Sequence, residues 1–319
     1  MKVLMISTDR LICQTGSEVR RRIMDYGSLF DELVVIVLTK KSDNLKSENL
    51  TDNVRIIVTG ARFRITSIFS AFLKGCEILK GREAASWVIT SQDPFETGLI
   101  AFGLKIFYQI PWQVQIHTDL GSNNFRHESL LNLLRFFTSF FIIRFADGVR
   151  VVSLRVKNYL VDSWQLKQNI TLLPILVESR KTDLTIDSLS IKQKYPKFSF
   201  IILMASRLTK EKNFPLALGA LAEASKNRPG LGLVIVGSGP EKNKLTKLTQ
   251  AMGIAERVVF EDWTCELQNF YHEADLFLLT SNYEGYGRTI VEAGLIGCPI
   301  LSADIGLVGE VATNEDILI

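Results

Sequence analysis

The sequence predicts an α/β protein of two Rossmann-like, doubly wound domains facing a central cleft. Three observations carry that expectation. Short apolar runs alternate with helical patterns along all 319 residues, which is the βαβ rhythm of parallel sheets covered on both faces. The length itself corresponds to about two domains. The rhythm breaks around 173–195, where Pro174 and the polar run ESRKTDLTIDS read as a linker. The domains are therefore expected at 1–175 and 176–319.

In the first half, strands are expected at 2–7, 33–39, 54–58, 87–90, 113–117 and 148–152. Helical patterns lie between several of them, for example at 16–30 and 94–107. The second half repeats the rhythm with strands at 198–204, 232–236, 258–260, 275–280 and 299–302, and helices at 215–226, 240–252 and 286–295. Open α/β sheets bind ligands beyond the C-terminal ends of their strands. Both domains are thus expected to point those ends into one cleft. No GxGxxG follows the first strand of either half. GSGP at 237–240 follows a strand and precedes a helix, but its third glycine is missing, which weakens a nicotinamide or flavin reading.

Composition narrows the function classes. With 47% hydrophobic and 22% charged residues, each half can bury an ordinary core. The net charge is only +3, but residues 1–175 hold 22 Lys/Arg against 16 Asp/Glu, and residues 176–319 hold 15 against 18. The basic first half points to an anionic partner: a phosphorylated acceptor, a lipid headgroup surface or nucleic acid. Uneven solvated surface is the plainer alternative. Cys13, Cys76, Cys265 and Cys298 are scattered, so they form no CxxC site and read as reduced, mostly buried cytosolic thiols. The three histidines show no metal-ligand spacing. The N-terminal apolar run turns polar at Thr8, Asp9 and Arg10, too early for a signal peptide. Two segments raise the membrane question. SLLNLLRFFTSFFIIRFA at 129–146 is very apolar but interrupted by Arg135 and Arg144, so it reads either as a buried helix or as an interfacial one. RFRITSIFSAFLKGCEILKGR at 62–82 carries the same ambiguity.

Five stretches fall at strand ends or helix starts. In SRLTKEKN, Arg207 and Lys212 are two cations in a loop after a strand, able to neutralise a diphosphate. A solvated basic loop is the alternative. In VIVGSGPEKNKL, Gly237, Gly239 and Pro240 let a ligand approach bare backbone, although Pro240 also suits a helix start. VVFEDW at 258–263 ends a strand whose backbone is available to read a base edge. In LLTSNYEGYGRTIVEAGLIGCPILSA, a strand delivers Glu284 to a loop. Gly285 and Gly287 permit close approach, and a helix begins near Gly287 with N–H groups for a phosphate. Glu292, in that helix, suits the two ribose hydroxyls, and Glu284 suits sugar hydroxyls. The alternative is an acidic loop serving the helix dipole. The fifth stretch is IHTD, which puts His117 at a strand end. Gly16, after the first strand, opens another helix start.

These residues together resemble the retaining GT-B glycosyltransferases of glycosyltransferase family 4. The resemblance runs over nearly the whole chain. It is most specific in Glu284-x7-Glu292, then in Arg207/Lys212 and the Gly237-x-Gly239-Pro240 turn, with IHTD and ADGVRVVS in the first half. It implies a nucleotide-diphospho-sugar donor in the C-terminal domain and an acceptor in the N-terminal one. By position, Arg207 and Lys212 bind the diphosphate, and Glu284 with the backbone of Tyr286, Gly287 and Arg288 holds the sugar. Glu292 binds the ribose, and Thr289 belongs to the donor site. His117 contacts the sugar near its anomeric carbon, and Gly16 lies by the diphosphate and acceptor. His117, Glu284, Arg207 and Lys212 are the implied catalytic group. The resemblance implies no cofactor and no metal. The acceptor is expected to be a sugar, lipid-linked or polysaccharide molecule of the cell envelope, and nucleic acid is not an expected partner. The expected location is cytoplasmic, with peripheral contact at the inner face of the membrane through the basic half. No second carboxylate is placed as a nucleophile, which favours a front-face reaction.

Two departures accompany the resemblance. The family's Gly-Gly near the first helix is Thr15-Gly16 here, and the chain stops at Ile319 where further C-terminal helices are expected, so it reads as truncated. Two alternatives stand beside transfer. One is a degenerate GT-B protein that binds nucleotide sugar or membrane without catalysis, and the other is a nucleotide-sugar 2-epimerase.

Overall fold

The computed structural model describes residues 1–81, 84–177, 191–264 and 266–311. The polar run expected as a linker, 178–188, and Cys265 lie outside the described residues. The chain divides into two compact units. Unit 1 is Met1–Leu120, Ser129–Val152 and Val156–Leu173. Unit 2 is Gly121–Glu128, Ser153–Arg155 and the chain from Pro174 onward.

In the first half the elements run β1 (Lys2–Ser7), α1 (Glu18–Gly27), β2 (Glu32–Val37), β3 (Glu48–Asn49), β4 (Val54–Val58), α2 (Arg64–Leu79), β5 (Trp87–Ser91), α3 (Glu96–Tyr108) and β6 (Trp112–Ile116). There follow α4 (Asn123–Glu128), which belongs to unit 2, then α5 (Leu130–Ile142), β7 (Gly148–Val151), α6 (Leu154–Asp162) and β8 (Asn169–Leu172). The strands form one sheet in the order β3-β4-β2-β1-β5-β6-β7-β8, parallel except for the short antiparallel β3. Central β2, ELVVIV, is buried at five of its six positions, as a strand covered on both faces must be. β3 and β8 were not expected. Both are edge strands, and neither carries the apolar run that marks a central one.

The order of strands fixes the sides of the helices. From β1 the chain steps one way to β2 and then jumps back to β5, β6, β7 and β8. Right-handed crossovers therefore put α1 on one face and α2, α3 and α5 together on the other. The α1 face packs Ile12 and Ile23 on Val3, Leu33, Val35, Val37 and Ile56.

Unit 2 continues with α7 (Ile191–Lys194), β9 (Phe200–Ala205), α8 (Phe214–Ala224), β10 (Leu231–Val236), α9 (Lys242–Ala251), β11 (Val258–Glu261), α10 (Leu267–Glu273), β12 (Leu276–Leu279), α11 (Arg288–Ile296), β13 (Ile300–Ser302) and α12 (Val308–Val311). Its described strands make a parallel sheet in the order β11-β10-β9-β12-β13. Alternation along β9 sends Ile201, Leu203 and Ala205 to one core and Met204 to the other. The direction of winding reverses between β9 and β12, which is where a doubly wound sheet opens a crevice for ligands. Among the described residues no helix is long and apolar enough to cross a membrane.

Candidate active site

The loops at that reversal point carry most of the residues singled out in the sequence. β9 ends at Ala205 and β12 at Leu279, so the loops 206–213 and 280–287 emerge side by side. They are stitched together. The Asn282 N–H donates to the Glu211 carbonyl at 2.8 Å, and the Thr280 hydroxyl donates to the carbonyls of Lys212 and Asn213 at 3.1 Å each. This places the Lys212 ammonium 2.5 Å from Glu284 Oε1, which also accepts from the Ser281 hydroxyl at 2.9 Å. The two side chains keep only 12% and 17% of their exposure, so the pair is largely desolvated. Arg207 stands differently. Its side chain is 78% exposed and its Nη2 lies 3.4 Å from Glu211. The two cations expected to act together are thus held by two different carboxylates.

The turn at 237–240 is locked to the first of these loops. The Leu208 N–H donates to Ser238 O at 2.9 Å, and the Glu241 N–H donates to Leu208 O at 3.0 Å. A Cβ at Gly237 would sit 1.9 Å from Ser206 O, and one at Gly239 would sit 2.4 Å from Leu208 O. The glycines are demanded by the chain's own backbone, whatever ligand they also admit. Pro240 sits in this turn, and α9 starts two residues later at Lys242. The end of β11 is likewise engaged: Glu261 O accepts from the Gly237 N–H at 2.9 Å, and its carboxylate meets Lys194 at 2.8 Å and the Tyr195 hydroxyl. The backbone expected to read a base is therefore partly used within the sheet.

At α11, Gly287 takes φ 86° and forms the N-cap, with no side chain capping the helix. That conformation suits glycine. The first-turn N–H groups, those of Arg288 and Thr289 among them, belong to an end where helices accept anions. The preceding loop is held by its carbonyls: Gly285 O accepts from the Ser153 hydroxyl at 2.8 Å and Tyr286 O from the Leu307 N–H at 3.0 Å. Glu292 is not an open acceptor. Arg288 Nε donates to one of its oxygens at 2.6 Å and the buried Tyr271 hydroxyl to the other at 3.2 Å. Burial first, then Glu292, pushes the Tyr271 pKa far up, so this hydroxyl keeps its proton and remains a donor.

Two residues missed in the sequence join unit 2 here. The Tyr283 hydroxyl donates to Glu128 of α4, and Phe125 sets its edge against the Tyr283 ring at 5.6 Å. Tyr283 and Glu128, with Lys210 and Glu211, border a cavity of about 200 Å³. Nothing in the spacing of 123–128 marks that helix as functional.

His117 and Gly16 belong to unit 1. Gly16 takes φ 80° just before α1, whose N-cap Ser17 already accepts the Arg20 N–H at 3.0 Å. His117 follows β6 directly. Its Nε2 lies 3.2 Å from Gln115 Oε1, which also accepts from Arg150 at 3.2 Å. Burial first, and the Arg150 charge second, lower the imidazole pKa to about 4, so it is neutral at pH 7. Arg150 was missed in the sequence, although register pairs it with Gln115 across β6 and β7. Its buried Nε has no hydrogen-bond partner among the described residues.

The chain is similar to known proteins in sequence and in fold. The family described as glycosyl transferases group 1 matches residues 186–319. An O-antigen biosynthesis glycosyltransferase, WclY of Escherichia coli, is 33% identical over 100 residues, covering 31% of this chain and 27% of that protein. An alpha-monoglucosyldiacylglycerol synthase of Streptococcus pneumoniae is 27% identical over 250 residues, covering 73% of this chain and 55% of that one. The matches thus span from about a quarter to about half of these relatives. In structure, the sucrose-phosphate synthase of Thermosynechococcus elongatus superposes with a TM-score of 0.75 at 17% identity, over 97% of this chain and 82% of that one. HepE of Anabaena in complex with UDP and glucose gives 0.71 at 18%, over 98% and 83%. Residues 186–319 thus match the glycosyl transferases group 1 family, and the chain shares the GT-B fold of these solved structures.

Proposed function

We propose that the chain moves a sugar, with retention, from a nucleotide-diphospho-sugar to a cell-envelope, glycolipid or polysaccharide acceptor, as a metal-independent member of family 4. The observation that carries this reading is the Lys212–Glu284 pair beside the uncapped start of α11, both at the reversal point of the unit 2 sheet. A leaving diphosphate gathers negative charge, and Lys212, Arg207 and the helix N-terminus answer it without a metal. Glu284, oriented by Lys212 and Ser281, accepts from sugar hydroxyls. Glu292 takes the ribose, the loop from Gly285 to Thr289 wraps sugar and phosphate, and the Gly237–Pro240 turn supports the diphosphate loop. His117, neutral at pH 7, offers a hydrogen bond near the anomeric carbon, and Gly16 lies on the acceptor side. The departing phosphate oxygen takes the acceptor proton. The acceptor class draws support from relatives named for O-antigen and glucosyldiacylglycerol synthesis. Such acceptors place the enzyme in the cytoplasm in peripheral contact with the membrane through its basic first half.

The test is a donor screen. The chain is titrated with UDP-, GDP- and ADP-sugars, and donor hydrolysis and transfer to lipid-linked acceptors are followed. Saturable binding of one donor with turnover is expected. Absence of both, for every donor, overturns the proposal.

A further inference from the structure

The two apolar, basic stretches of the first half form one surface. Glu96, at the start of α3, is gripped by Arg64 of α2 at 2.7 Å and by Arg135 of α5 at 3.0 Å. Phe72 of α2 meets Phe107 of α3 edge-on at 5.7 Å. α2, α3 and α5 are thus neighbours in the layer opposite α1.

The outer side of that layer is apolar. Ile65, Phe69, Phe107, Leu134, Phe137 and Phe141 are each more than half exposed. Each aromatic carries on the order of 150–250 Å², so together they exceed the patch of a few hundred Å² usual for a monomer. α5 is apolar on both sides. Ile142 is buried with Asn132 and Ser139, and Phe136 and Phe140 pack on Trp164, while Leu130, Leu134, Phe137 and Phe141 face out at helical spacing. A helix that is greasy on its wet side as well as on its packed side has an apolar partner.

Charge says which partner. Arg62 and Lys80 are exposed at either end of α2, and Lys74 lies along it. Arg144 lies over the Phe140 ring at 3.9 Å, just past α5. Within α2 the one carboxylate is Glu77, and α5 has none. The nearby Asp147 is taken up by Lys105. Aromatic side chains framed by Arg and Lys match an anionic bilayer surface, with rings at headgroup depth and cations among the phosphates.

We propose that the outer face of α2, α3 and α5 docks the protein on an anionic lipid bilayer. This deepens the membrane contact proposed above and rests on it. It moves the contact from the basic half in general to one face, and leaves the Arg20–Arg22 cluster of α1 on the opposite side.

The full chain is sedimented with vesicles of phosphatidylcholine and of an equimolar phosphatidylglycerol–phosphatidylcholine mixture. Binding to the mixed vesicles alone, weakened by salt, is expected. Phe137→Ser combined with Phe141→Ser lowers the partition about tenfold or more, and Lys74→Gln with Lys80→Gln removes the preference for phosphatidylglycerol. All four positions are exposed or partly so, and circular dichroism checks that the variants fold. Donor binding in vesicle-free buffer stays unchanged in these variants, which separates a failure of docking from a failure of the transferase reading. Absence of vesicle binding, or Phe variants that bind as wild type does, overturns the proposal. So does a concentration-dependent dimer abolished by the same substitutions, which gives the face to a second copy.

Discussion

Lys212→Met keeps most of the side chain's volume and removes the ammonium that Glu284 holds at 2.5 Å. What remains to Glu284 is the Ser281 hydroxyl at 2.9 Å. Removing one partner of a fully buried pair costs about 3–5 kcal/mol, because the other charge is left uncompensated. The residual 12% and 17% exposure lets water reach this pair, so the lower end, about 3 kcal/mol, is expected. Most of that cost is a penalty on Glu284, and Glu284→Gln in the same chain should return most of it. Urea unfolding of wild type, both single variants and the double variant closes the cycle. Donor binding behaves otherwise if Lys212 faces the diphosphate. Calorimetric titration with the donor found by the screen should show weak binding in Lys212→Met and equally weak binding in the double variant. Turnover should fall about 10²–10³-fold in both. If the double variant regains donor affinity and turnover to within a few-fold of wild type, Lys212 only neutralises Glu284, and the diphosphate assignment is wrong.

Gly237→Ala forces a Cβ to 1.9 Å from Ser206 O at φ 153°, and should cost at least about 3 kcal/mol; a urea midpoint equal to wild type refutes the close approach. His117 makes stability depend on pH. Its pKa lies at about 4 in the fold against 6.5 unfolded, so the unfolded chain binds the extra proton between those values. Stability is complete above pH 6.5 and falls by about 3 kcal/mol as pH drops to 4. His117→Gln should flatten that slope in urea titrations, and an unchanged slope sinks the assignment. Tyr271→Phe removes the hydroxyl at 3.2 Å from Glu292 and should raise the donor KM several-fold with little change in kcat, unless the ribose is held elsewhere. Turnover should survive EDTA, and a loss restored by Mg²⁺ would contradict catalysis by Lys212 and the helix alone.

The fold was legible because its central strands are unmistakable. ELVVIV and LGLVIV can only be covered on both faces, and the glycine and proline turns between runs set the βαβ rhythm. β3 and β8 escaped because edge strands need no apolar run. The segment 129–146 was readable as buried or interfacial, and only the structure decides. Its polar Asn132 and Ser139 are buried and its Phe137 and Phe141 exposed, while Phe136 and Phe140 pack on Trp164, a distinction that hydropathy alone, blind to the neighbouring layer, cannot draw.

In the donor region the sequence showed which charges exist but not which are already answered. Glu284 and Glu292 were legible from loop and helix spacing. Their partners were not, because Lys212, Ser281, Arg288 and Tyr271 reach them across turns and between elements. The pairing changes what donor binding must do. On the proposed assignment, a diphosphate arriving beside Lys212 would meet an ammonium already neutralised by Glu284 and gain little net attraction unless Glu284 turned to a sugar hydroxyl in the same step. If Arg207 serves the diphosphate as proposed, it is the cation that meets the donor first, because it is mostly exposed and only loosely held by Glu211. Its attraction is screened by salt, and that of the desolvated pair much less. Salt should therefore slow donor association through Arg207, while the discrimination between sugars stays with Lys212 and Glu284. Arg207→Gln should remove most of the salt dependence of the association rate and leave the ranking of donors as it was.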